Sequence, residues 1–280
     1  HSKKELPHVK HAINRWGQAT GMKENLTKRE GLGMGRYKNK DLAHDIKWAG
    51  EGEFCVSLGI PVGNDLNEEL WWSDKINSIR RIVSKWRGMH QVKLFGRSIL
   101  VQAYYYGRLR YWAYSLLQSK KVIGAIQKDA DILHWARHPV LREQQKGESI
   151  EKSTQRTRGW VARTTAIGPK AKGGVNLMDW KLHTESFLAE WVFRYIAPGE
   201  AEWKKIWDEY ILKDKKGKTR YPEGRTVVFQ NLSIRQKSKI ISSFPKGAKY
   251  AKACLRAFWA LRITPKGNQG IASESPWYSH

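Results

Sequence analysis

The chain has 280 residues, enough for one or two domains at roughly 100–200 residues each, with a packed core. Hydrophobic residues are 40% of the chain and charged residues 28%, which argues against wholesale disorder, and no apolar run approaches the ~18 residues of a membrane-spanning helix. Fifty-one Lys and Arg against 26 Asp and Glu leave a formal charge of +25, a self-repulsion that a polyanion, with nucleic acid the obvious one, would relieve.

In chain order, Leu6, Val9, Ile13 and Trp16 are spaced 3-4-3 and predict an amphipathic helix, with Gly21 as its stop. Between Glu53 and Gly63 the period changes to two: Phe54, Val56, Leu58, Ile60 and Val62 alternate with Glu53, Cys55, Ser57, Gly59 and Pro61. A strand or hairpin is expected there, with Pro61 and Gly63 confining it to an edge or a bend. The helical period returns from Glu69 to Met89. Trp72, Ile76, Ile79, Val83 and Trp86 form its apolar stripe, and Lys75, Arg80, Arg81, Lys85 and Arg87 are assigned to its other faces.

Two further helices, from about Arg97 to Leu117 and through Ile123, Ile126, Ala130 and Leu133, complete an expected three-helix unit. The stretch from Arg137 to Lys172 lacks periodicity and contains Pro139 and Pro169, so it reads as an irregular connection. Beyond it, Phe187, Leu188, Trp191 and Tyr195, then Trp203, Ile206, Trp207 and Tyr210, mark two helices split by Pro198-Gly199; the tail after Pro265 is expected to be loose. The positive charge is spread: +4 over residues 1–63 (11 basic, 7 acidic), +7 over 64–137 (13 against 6) and +14 over 138–280 (27 against 13).

Several chemistries find no support. Cys55 and Cys254 make neither a disulfide framework nor a Cys-only zinc site and fit a reducing, intracellular compartment, nucleus or cytoplasm. His8 and His11 sit three apart but lack a third metal ligand nearby, and Gly31, Gly33 and Gly35 lack the lysine and strand context of a phosphate cradle. Trp72, Trp86, Trp112 and Trp191 lie on apolar stripes and are expected in the core rather than stacked on bases. The basic face of the Glu69–Met89 helix is the better candidate for contacts to phosphates.

Gly21-Met22-Lys23-Glu24-Asn25-Leu26-Thr27-Lys28, followed by Leu58-Gly59-Ile60-Pro61-Val62-Gly63, resembles motifs D and E of the reverse transcriptases of LINE-type non-LTR retrotransposons. Leu94-Phe95-Gly96-Arg97, Leu133-His134-Trp135 and the segment Lys170 to Leu177 with Gly173-Gly174-Val175 resemble, in that order, a thumb turn, a thumb helix end and a post-thumb segment of the same family. The likeness runs over roughly residues 6 to 210. It implies a mainly α fold with a small β-hairpin: the α+β end of a palm (1–63), a helical thumb (64–137), and a post-thumb connector with a helical C-terminal region (138–280).

It further implies that Lys28 acts at the incoming nucleotide's phosphates and that Leu58, Gly59 and Ile60 belong to a primer grip. Arg80, Arg81, Lys85, Lys93 and Arg97 would contact an RNA template paired to a DNA primer. The Tyr-x-Asp-Asp hairpin that holds Mg²⁺ in that family has no counterpart in the sequence, so this chain alone is expected neither to bind that metal nor to polymerise. It starts at His1 rather than Met and is expected to be a fragment of a longer protein. A stand-alone basic RNA- or DNA-binding protein without enzymatic activity is the alternative.

Overall fold

The computed structural model describes residues 5–86, 91–137, 139, 141, 159, 161–214 and 216–261. Arg87, the expected helix end at Met89, most of the connection before residue 161 and the tail after Pro265 lie outside them. The chain divides into two compact units, His1–Trp71 and Trp72–His280. Helix dominates, with a small antiparallel hairpin, as the periodicity leads one to expect.

In the first unit, α1 (Leu6–Thr20) starts with Pro7 in its first turn and stops at Gly21, whose φ of 72° is the left-handed cap that glycine supplies without strain. Two short pairings follow. β1 (Glu30–Gly31) runs parallel to β2 (Lys47–Trp48), and β3 (Cys55–Ser57) pairs antiparallel with β4 (Ile60–Val62). A side chain at Gly31 would collide with the Trp48 indole, and one at Gly33 would fall 2.1 Å from the Tyr37 carbonyl oxygen, so both glycines are required by close approach.

The second unit is mainly helical, and its described residues contain no strand beyond an isolated bridge between Lys213 and Thr219. α2 (Glu68–Val83) begins in the first unit and buries Trp72, Ile76, Ile79 and Val83. The helix expected from Arg97 to Leu117 starts earlier and has three parts: α3 (Leu94–Leu100), a π-helical segment Val101–Tyr106, and α4 (Gly107–Ala113). The wider π turn lets the consecutive Tyr105 and Tyr106 both enter the core, where neither is exposed. α5 (Lys120–Trp135) is capped by Ser119, whose hydroxyl accepts from the Val122 amide. Burying side chains such as Trp72, Ile126 and Leu133 contributes about 1.5–3 kcal/mol each.

After the short α6 (Arg163–Ile167), α7 (Trp180–Ile196) is capped by Asp179 and packs along α10 (Lys249–Ala260). α8 (Glu202–Ile211) and α9 (Ile234–Ser243) complete this second core, in which Val192, Tyr195, Ile211, Ile240, Cys254 and Phe258 are buried. Trp180 stacks on Tyr106 at 4.8 Å and 17° and donates to Gln118 Oε1, which joins α7 to the π segment. Of the four tryptophans assigned to the core, Trp72 is fully buried while Trp86, Trp112 and Trp191 are half-buried.

Candidate nucleic-acid interface

Lys28 closes a 3₁₀ turn, Leu26–Lys28, that Asn25 caps by accepting from the Thr27 amide. Its neighbour Arg29 holds the loop in place. The Arg29 guanidinium donates to Glu24 through Nε and Nη2 and to Asp45 Oδ2 through Nη1 at 2.9 Å, and Lys10 Nζ reaches the same Asp45 oxygen at 2.6 Å. The Arg29 hydrogen bonds draw the Glu24 carboxyl below its ordinary value. Lys28 itself is exposed and makes no ion pair among the described residues. A cation held on a capped turn and left to solvent is suited to meeting an anionic ligand.

The strand after Lys28 connects this turn to the hairpin. Glu30 Oε2 accepts from the Val56 amide at 3.2 Å, Cys55 Sγ donates to the Gly31 carbonyl, and Asn64 Nδ2 donates to the Gly33 carbonyl at 2.6 Å. The hairpin turn consists of Leu58 (φ 50°) and Gly59 (φ 77°), both left-handed as a two-residue turn between twisted strands requires. Glycine adopts that conformation freely, whereas leucine at such a position costs about 1–2 kcal/mol. Leu58 is nonetheless 87% exposed, so no burial offsets the strain.

The alternation does not form one stripe across the hairpin. Val56 pairs with Pro61, and Cys55 with Val62, so the two-residue turn puts odd positions opposite even ones. Val56 therefore shares a face with Pro61, while Ile60 and Val62 share the other with Ser57 and Cys55. Phe54, Val56, Leu58 and Val62 are all exposed, and Ile60 is half-buried.

Two of the assigned nucleic-acid contacts face inward and are corrected here. Arg80 is 2% exposed; its Nε and Nη2 bind the two oxygens of Asp129 at 2.6 and 2.9 Å, and Tyr105 donates to the same carboxylate at 2.7 Å. Burial pushes the Asp129 carboxyl up, opposed by the Arg80 and Tyr105 bonds. Arg80 is four residues from Ile76 and three from Val83, at the edge of the buried stripe, which is why it turns in. Arg97, 7% exposed, donates from Nε to the Val92 carbonyl at 2.9 Å and from Nη1 to the Ala136 carbonyl, tying the turn before α3 to the end of α5. Both guanidinium groups are engaged within the fold. Arg81, Lys85 and Lys93 remain exposed, Arg81 opposite the buried stripe.

Within the second unit, three segments that the resemblance singled out separately meet. Ser98 Oγ lies 3.4 Å from His134 Nδ1 and donates to the Val175 carbonyl at 3.3 Å, and Val175, Leu177 and Ala166 pack with Leu94 and Trp135. Lys170 Nζ sits 4.8 Å over the Phe95 ring. A side chain at Gly174 would strike the Gly168 carbonyl oxygen, so the glycine is required. Ser98 and His134 are 3% and 1% exposed, which closes this pair to any substrate and makes it a packing network rather than a nucleophile and base.

Burial and the Arg97 charge push the His134 imidazole down to about 4. An imidazole lowered on folding stabilises above its unfolded value near 6.5, and that stability is lost as pH falls from there toward 4. Burial also pushes the His183 imidazole down to about 4, so His134→Gln is expected to remove about 2 kcal/mol of the loss in urea-unfolding free energy between pH 7 and pH 5 and to leave a remainder. An equal loss in the variant would place the titration elsewhere.

Five carboxylates of the first unit are engaged within the fold. Glu24 and Asp45 are taken by Arg29 and Lys10, Asp65 by Lys38, Glu30 by the Val56 amide, and Glu53 by the Gly50 amide. Among the described residues no three His, Cys, Asp or Glu side chains gather as metal ligands, and no helix is long and apolar enough to cross a membrane. Asp129 was missed from sequence, although its place three residues after Ile126 and four before Leu133 puts it on the α5 apolar stripe. Comparison with protein-family models, curated proteins and solved structures finds no match.

Proposed function

We propose that the chain is the template-primer-handling, C-terminal part of a non-LTR retrotransposon reverse transcriptase, binding an RNA template and DNA primer while the metal-dependent chemistry belongs to residues it does not contain. The observation that carries this reading is the meeting of Leu94–Ser98, His134–Trp135 and Val175–Leu177 around one buried contact. The contact unites segments as far apart in sequence as Ser98 and Val175. The Lys28 turn, fastened to the Leu58–Ile60 hairpin through Glu30 and Gly31, adds independent support from the first unit.

In this reading Arg81, Lys85 and Lys93 neutralise backbone phosphates of the duplex without reading its sequence. Leu58 and its apolar neighbours rest against the primer end. Lys28 offers a cation to the charge that builds on the departing pyrophosphate. Lys28→Ala, in a protein where a palm with a Tyr-x-Asp-Asp hairpin precedes residue 1, is expected to slow single-turnover nucleotide addition by roughly 100-fold with template-primer affinity nearly unchanged. Wild-type rates would remove Lys28 from the reaction.

A further inference from the structure

Residues 230–261 contain seven Lys and Arg and no Asp or Glu. The preceding cation, Arg225, is bound by Asp208 and Glu200 and belongs to the fold. None of the seven that follow takes part in an ion pair among the described residues. Elsewhere in the second unit many cations are matched: Arg163 by Asp131, Arg194 by Glu190, Lys205 by Glu202, Lys213 by Glu209.

Their placement follows the helical period. On α10 the buried side chains are Ala251, Cys254, Leu255, Ala257 and Phe258, and Lys249, Lys252 and Arg256 fall three and four residues apart on the opposite face. That stripe rises about 10 Å along the helix, a length over which duplex nucleic acid presents roughly six phosphates. On α9, Arg235 and Lys239 lie four apart on an exposed face with Ser238 and Ser242, while Ile240 turns to the core. Ser233 and Gln236 close a capping box at the start of α9. Lys237 Nζ lies 5.7 Å over the Trp259 ring, a side-chain contact between the two helices, and Lys246 lies in the link between them.

We propose that α9 and α10 form a second polyanion-binding surface, one that docks the backbone of double-helical RNA through Arg235, Lys239, Lys249, Lys252 and Arg256. It lies beyond residue 210, outside the segments that carry the proposed function, and does not rest on that reading. A lipid surface fits less well. Membrane-surface helices bury an apolar face among headgroups, and the apolar face of α10 is already spent on α7 and the core.

The test uses the full chain and a 20-base-pair RNA duplex, with dissociation constants measured from 50 to 300 mM salt. Changing Arg235, Lys239, Lys249 and Arg256 together to Gln is expected to lower the salt slope by two to four units, about 0.9 per contact, and to weaken binding at 150 mM at least roughly tenfold. Changing Lys120, Arg137, Lys216 and Lys218 to Gln removes the same charge from other exposed positions and is expected to move the slope by less than about one unit. Equal slopes for the two variants would reduce the effect to net charge and overturn the surface. Unchanged RNA binding in the first variant, with lost binding to phosphatidylserine vesicles, would overturn it in favour of a membrane. The proposed function fails separately, through Arg81, Lys85 and Lys93.

Discussion

Arg80→Ala and Asp129→Ala are each expected to destabilise the second unit by about 3–5 kcal/mol, because removing one partner leaves the other as an uncompensated charge in a closed core. Against a total stability of about 5–15 kcal/mol, such a loss removes between about a fifth and all of it. The interaction joins α2, the π segment and α5, since Tyr105 donates to the same carboxylate. Tyr105→Phe should cost less, about 1–2 kcal/mol, as it removes one hydrogen bond and keeps the ring. The double change Arg80→Met with Asp129→Leu should recover most of the loss, since a well-packed apolar pair often equals a buried ion pair. Urea unfolding followed by circular dichroism reads all four. If Arg80→Ala unfolds like wild type but binds nucleic acid less tightly, the guanidinium leaves Asp129 in solution and the inward assignment is wrong.

Affinity for a primer-template duplex is expected to fall by about 10³- to 10⁵-fold between 50 and 200 mM salt, as for a protein that makes six to ten phosphate contacts. The charge of +25 supplies the field, and the exposed Arg81, Lys85 and Lys93 supply one group of contacts. Replacing those three by Gln should reduce the slope of log Kd against log salt by up to about three units while leaving stability within ~0.5 kcal/mol, since all three are exposed. A slope near zero in the wild-type protein would reject backbone recognition altogether.

Much of the fold was legible because periodicity reports burial directly. The 3-4 spacing of Trp72, Ile76, Ile79 and Val83 gave α2, and Pro198-Gly199 separated α7 from α8. Period alone did not show how two strands meet: the two-residue turn at Leu58-Gly59 reverses the parity of the faces, so an alternation continuous in sequence is divided in space. Nor did it show that an arginine at the edge of a stripe turns inward, because that depends on Asp129, 49 residues away. The π segment stayed hidden for the same reason: its wider turn is set by the packing of Tyr105 and Tyr106 against other helices, not by a local residue signal. In the candidate interface, the Gly21 stop of α1 was readable from the sequence, whereas the Asn25 cap of the Lys28 turn was not singled out and the strain at Leu58 needed a backbone angle.

That strained leucine offers the most direct test of the reading of this chain as a primer-handling part of a reverse transcriptase. A photoreactive benzoylphenylalanine at position 58 replaces a side chain that is 87% exposed and should leave the fold intact. Irradiated with an RNA template annealed to a labelled DNA primer, it is expected to cross-link the primer strand within a few nucleotides of the 3′ end, and to stop doing so when the primer is recessed beyond the template's reach. Cross-links spread evenly along the duplex, or confined to the template strand, would contradict a primer grip and leave a basic protein that binds nucleic acid without regard to its end.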